Sequence, residues 1–417
     1  MTPRVHSLPR SFVPLAVALS AALSLPLALI ATQSPPPLTV HEWGTFTTIA
    51  GDDGQAIQWL PLGGPTDLPC FVETYRNREV KVIIGAQAGT LLNYDQARAG
   101  LKGSVRMETP VLYFYADAPT TANVNVAFPR GLFTEFYPHA EVVQSPSYAS
   151  VLSTTPGFPA KIAWKTVNIR PNTSPVFPTD RATSHYYAAR ATDAAPIRVD
   201  GQDEKFLFYR GVAGFPAPIS TRLEPNGRIR VTNLSRHTLP AVMVLTKRGS
   251  KFGYRVHGAL AGESEVLLDR PLAGGMLPGL RTELERTLVA QGLYEKEAKA
   301  MVDTWRDDWF DDGTRVFYVV PAADVDAILP LTISPAPVSV VRVFVGRMEV
   351  ITPETEADVA RALSTNDARL IEAYGRWLGP IGDRVIAKAA TPDAQAAMRA
   401  RQDSIFKAYL TRVTACH

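Results

Sequence analysis

Three histidines stand beside carboxylates or tyrosines in ways that could serve chemistry. They are His41 in His41-Glu42, His139 in the run 135–141 with Glu135 and Glu141, and His185 in His185-Tyr186-Tyr187, which runs on to Arg190. Imidazole nitrogens and carboxylate oxygens are the usual ligands of zinc. A set of His41, Glu135, His139 and His185 would therefore suit a divalent metal such as zinc and an extracytoplasmic metal-dependent hydrolase. Glu42, Tyr187 and Arg190 are further polar candidates. Spacing gives this set little support. His41-Glu42 is followed by Thr45 where the helical zinc-protease motif needs its second histidine. Neighbours on a strand also point to opposite faces, so His41 and Glu42 do not both face one site; Glu42 is expected to hold an arginine or a backbone amide.

Other signatures are missing. Gly262-Glu263-Ser264-Glu265 lacks the closing glycine of a nucleophile elbow. The chain has no phosphate-binding Gly-Lys loop and no dinucleotide fingerprint, so no nucleotide cofactor is expected. Asp52-Asp53 offers two carboxylates with no third in register, which is a solvated turn rather than a calcium loop. Trp43, Trp59, Trp164, Tyr113, Tyr115, Tyr186 and Tyr187 could include a platform for sugar rings, but large aromatics of a β protein belong first in its core.

The elements that must position these residues are mostly strands. Residues 39–48 carry Trp43-Gly44 and a Thr/Phe tail with strong β preference, ending at the turn Gly51-Asp52-Asp53-Gly54. Residues 110–115 are apolar on both faces, as a buried strand should be. Residues 122–128 alternate, with Val124, Val126 and Phe128 inward and Asn123 and Asn125 outward. Residues 161–167, 184–190, 206–210, 228–232 and 241–246 complete the strand candidates. Beyond Pro271 the period changes. Leu280, Leu284 and Leu288 recur every four residues, and Ala298, Met301, Val302, Trp305 and Trp309 share a helical face, so a helical hairpin is expected. Strands at 314–320 and 340–351 follow, the second with Val341, Val343 and Val345 on one face. Thr352-Pro353 and Thr391-Pro392 each start a helix.

The 417 residues, 46% hydrophobic and 20% charged, have the composition of a globular protein with a real core. The 34 prolines favour loops and turns. A net charge of +3 with no basic stripe gives nucleic-acid binding no support. Arg4, His6 and Arg10 precede an apolar run, residues 12–31, as in an export signal. Leu29 departs from the small-residue pattern before a cut at Ala31, so the run is either a cleaved signal or a membrane anchor. Either form places the body in the periplasm, on the envelope or outside the cell, touching the membrane only through that segment if it stays. Cys70 and Cys416 are the two cysteines, a disulfide candidate in an oxidising compartment or else two separate thiols.

The stretches 41–47, 106–111, 135–139, 185–190 and 305–310 together resemble a family of exported bacterial proteins of uncharacterised function, marked by an N-terminal His-Glu-Trp-Gly-Thr motif. The resemblance implies an extracytoplasmic location and one recurring architecture, and it transfers no catalytic residue. The sequence thus predicts a targeting segment at 1–34, a β-sandwich-like body at 35–270 and a helix-rich part with one or two strands at 271–417, mainly β and α+β overall. A binding or scaffold module acting on an envelope polymer or protein partner is the first functional expectation. The metal-dependent hydrolase is the second.

Overall fold

A computed structural model describes residues 37–62, 68–75, 100–145, 159–180, 184–271, 277–305 and 309–413. The targeting segment and Cys416 lie outside the described residues, and with them the expected disulfide. Among the described residues no helix is long and apolar enough to cross a membrane. Pro36–His417 forms one compact unit that is mainly β with helices added, the expected fold class.

The strand Leu38–Ala50 lies at the centre of a nine-stranded sheet. It runs parallel to Ser339–Val350 and antiparallel to Val105–Ala116. Beyond Ser339–Val350 come Gly313–Val320, Leu239–Arg248 and Lys251–Leu260; on the other side follow Leu207–Ala213, Gly131–Tyr137 and the short Glu73–Thr74. Gly44 is required at the middle of the opening strand. A Cβ there would stand 2.7 Å from the Phe344 ring and 3.1 Å from Pro110 Cα, where the pairing shifts register.

One face of this sheet packs on two smaller sheets. One has Leu331–Ser334, Thr120–Phe128, Ala160–Ile169, Ile197–Val199 and Gln202–Glu204 in order; the other has Ile219–Leu223, Ile229–Asn233 and Glu265–Leu268. Val40, Phe46, Leu112 and Phe114 of the large sheet meet Val124, Val126, Phe128 and Trp164 in that sandwich core. The alternation read at 122–128 holds, with Val124, Val126 and Phe128 fully buried. The other face carries Trp43, Tyr113, Val343 and Val345, covered by the helices Leu277–Ala290 and Glu295–Thr304. Leu280, Leu284 and Leu288 supply the buried stripe of the first helix, and Trp305 stacks on Trp309 with centroids 5.8 Å apart. Further along that face, Ile49 and Trp59 pack under Pro353–Thr365 and Leu378–Ala387, with Trp59 stacked on Trp377. Thr352 caps its helix as expected, accepting from the Thr355 amide.

Two expectations need correction. The boundary at 270 does not separate two folded parts, because Gly313–Val320 and Ser339–Val350 lie inside the large sheet and supply the opening strand's parallel neighbour. A central strand must pair on both sides, and its second partner comes from late in the chain. Residues 184–190 are not a strand. His185–Arg190 is a 3-10 helix, capped by Ser184 Oγ accepting from the Tyr186 amide. Its period of three sets Arg190 over Tyr187, the guanidinium 5.0 Å from the ring centroid.

Candidate functional site

The predicted metal residues do not meet. His41 is buried, and its Nδ1 lies 2.7 Å from Glu297 Oε2 in the first turn of Glu295–Thr304. Tyr115 donates its hydroxyl to Glu297 Oε1 at 2.8 Å, the Tyr294 amide donates to Oε2 at 2.8 Å, and the Tyr294 ring packs 4.5 Å from the imidazole. One carboxylate thus fastens the helix start to the sheet. His139 lies at the surface, its Nδ1 2.8 Å from Glu73 Oε2. Glu135 is buried, accepts from Thr134 Oγ1 at 2.5 Å and sits across from Arg210 in the sheet. His185 opens the 3-10 helix. Among the described residues, no three His, Cys, Asp or Glu side chains are arranged to hold a metal ion. The zinc set is a set in sequence only, because its members sit on different elements and His41 and His139 hold different carboxylates.

The other polar candidates also act as struts. Glu42 is buried on the face opposite His41, where it accepts from Arg342 Nε at 2.6 Å and from the Tyr209 hydroxyl. This is the arginine partner its position called for. Tyr187 donates to Asp180 Oδ1 at 2.9 Å, and the Cys70 amide donates to Asp180 Oδ2 at 2.6 Å. Arg190 binds the fully buried Glu204 through Nε and Nη2 and lies against the rings of Phe71, Phe177, Tyr186 and Tyr187. Burial pushes the Glu204 carboxyl up, and the Arg190 hydrogen bonds oppose the shift. Of the seven aromatics considered for a sugar platform, Trp43, Trp59, Trp164, Tyr113 and Tyr186 are buried, and Tyr115 and Tyr187 are half-buried against the core.

The structure gathers recognition chemistry at residues outside the predicted site. A cavity of about 460 Å³ opens between three loops and a short helix. Its walls are Pro129, Phe215, Pro216, Pro218, Leu234 and Ile328, and its polar groups are Arg130, Ser235, Arg236, His237 and Asp324. The size and the few polar groups on apolar walls are those of a small-molecule site. Local sequence explains the shape. Pro129-Arg130 turns between Thr120–Phe128 and Gly131–Tyr137, and residues 215–218 leave the end of Leu207–Ala213. The loop 234–238 is pinned by the buried Asn233. Its Nδ2 donates to the carbonyls of His237 at 2.9 Å and Ala261 at 2.9 Å, and its Oδ1 accepts from the Ser235 amide at 3.0 Å. Asp324, in the first turn of Ala322–Ile328, holds His237 with Oδ1 2.8 Å from Nδ1. Beneath them the buried Tyr318 phenol is pushed up, first by burial and then by the Asp324 charge.

Serine, histidine and aspartate all line this cavity, yet they do not form a nucleophilic triad. Ser235 Oγ accepts from the His237 backbone amide at 3.0 Å, a local turn contact and not the serine–imidazole bond that such chemistry needs. The arrangement can orient an imidazole and present charge over apolar walls, which is binding chemistry. The only sequence hints were the Pro-rich 215–218 and the polar run 233–238 between two strand candidates.

No family model matches the chain. No curated protein matches it either. Among solved structures, it is similar to the Fcho1 mu homology domain of Danio rerio with bound Eps15 peptide, at 8% identity and TM-score 0.31, covering 76% of this chain and 97% of that one. It is also similar to the yeast delta-COP-I mu-homology domain complexed with a Dsl1 WxWxV peptide, at 9% identity and TM-score 0.27, with the same coverage of both chains. Likenesses this weak say nothing of what this chain binds.

Proposed function

We propose that this chain is an exported binding module of the periplasm or cell envelope, which takes an apolar small molecule into the cavity between Pro129, Phe215 and Ile328. The observation that carries the reading is that cavity, about 460 Å³ with apolar walls and an oriented His237–Asp324 pair. The absence of a shared ligand set among His41, Glu135, His139 and His185 in the described residues leaves the hydrolase alternative without support.

The neutral fluorophore N-phenyl-1-naphthylamine tests the site. Saturable one-to-one binding is expected. Ala327 lies exposed on the short helix and lines the cavity, so Ala327→Trp should fold normally and abolish that binding by filling the space. Binding that never saturates, or that survives Ala327→Trp unchanged, would remove the reading. Location is tested separately. Residues 1–40 fused to a reporter active only outside the cytoplasm should give activity, motivated by the basic start and the apolar run at 12–31. A reporter retained inside the cell would end the export proposal.

A further inference from the structure

We infer that the cavity ligand is an anionic amphiphile, a single apolar chain ending in a carboxylate or phosphate group, an inference that rests on the cavity being a binding site. The charges around the opening carry it. Arg130 is exposed, and its Nη2 donates to the Gly214 carbonyl at a long 3.3 Å. Arg236 is almost wholly exposed, and its Nε stands 3.9 Å from Glu263 Oε1, beyond hydrogen-bond distance. Both cations line the cavity. The carboxylate among the lining residues, Asp324, has one oxygen committed to His237. Glu263 pairs loosely with Arg236 from outside the lining, so the cavity lining itself holds two arginines and one aspartate, an excess of positive charge in front of walls of proline, phenylalanine, leucine and isoleucine.

An apolar chain lying on Phe215 and Ile328 would remove apolar surface from water, and its charged end would meet the guanidinium donors that arginine presents to carboxylate and phosphate. A neutral chain gains only the first of these. A cationic chain gains the first and meets repulsion at the rim. The ligand class therefore follows from adding a charge preference to an apolar volume.

Four probes with the same tail separate the terms: decanoate, decyl phosphate, decanol and decyltrimethylammonium. Each displaces N-phenyl-1-naphthylamine from the full chain at low ionic strength. At least one anion is expected to bind about tenfold more tightly than decanol, a difference typical of one charge-assisted contact, and the cation is expected to bind least. The preference should shrink with added sodium chloride, because exposed charges are screened. Comparing decanoate with decyl phosphate then tells a fatty-acid-like head from a phospholipid-like one. Arg130→Gln and Arg236→Gln change exposed side chains, so both variants should fold. Together they should remove the anions' advantage, bringing them to parity with decanol measured on the same variants. Anions binding no better than decanol, or a preference unaffected by both variants, would overturn the inference while leaving the cavity reading intact. If no probe binds, the cavity reading itself fails and the inference with it.

Discussion

Glu297→Ala is expected to destabilise the folded chain by about 3–5 kcal/mol, the range seen when one member of a buried pair is removed. The Glu297 side chain is fully buried and accepts from the Tyr115 hydroxyl and the Tyr294 amide, with His41 Nδ1 2.7 Å away. Removing the carboxylate leaves these groups buried or half-buried without their partner, and it frees the start of Glu295–Thr304 from the sheet. Glu295→Ala, two residues earlier and exposed, should change stability by no more than about 0.5 kcal/mol. Urea unfolding of the two variants, with the slope checked for constancy, measures the difference. A loss below about 1 kcal/mol in Glu297→Ala would mean that this contact does not fasten the helix to the sheet.

The second large effect is expected at Arg315. Its side chain and that of its cross-strand partner Glu349 are 0% and 1% exposed. Nε donates to Glu349 Oε2 at 2.7 Å, Nη1 to the carbonyls of Trp309 at 2.8 Å and Asp311 at 2.7 Å, and Nη2 to the Asp312 carbonyl at 2.9 Å. The guanidinium therefore pairs with a strand and organises the turn that leads into Gly313–Val320. Arg315→Met should cost about 3–5 kcal/mol, because it leaves a carboxylate buried and several carbonyls without a donor. Adding Glu349→Leu should recover part of that loss, since an apolar pair does not strand a charge. A double-mutant cycle gives the coupling. Strictly additive losses would show that the two side chains contribute independently.

Sequence reading worked where one periodicity ruled a segment. The alternation at 122–128, the valines at 341, 343 and 345, and the leucines at 280, 284 and 288 each place a face in the core, and each face is found there. Thr352-Pro353 is a helix start because cap chemistry is local. Residues 184–190 misled because Ala, Tyr and His fit several backbones over so short a run, and Ser184 as a cap together with Arg190 against Glu204 settled the matter. The site was less legible than the fold. His41 finds its carboxylate 256 positions away and His237 finds Asp324 87 positions away, and no spacing rule spans such gaps. The cavity is walled mainly by loops, which carry no period at all.

The parallel pairing at the centre of the large sheet has a consequence for the order of events during synthesis. Thr39 sits opposite Ser339, 300 positions later, so the opening strand keeps one unpaired edge until Ser339–Val350 has been made. At roughly 5–20 residues per second, that edge stays open for about 15–60 s after the strand emerges. Its antiparallel neighbour, Val105–Ala116, can join early, but the pair then presents a long template for stray strands. Contacts of such sequence separation also slow folding, because a large loop must close before the pairing repays it. Nascent chains truncated before Ser339 should therefore be prone to aggregate, and holding the polypeptide unfolded until release would protect it.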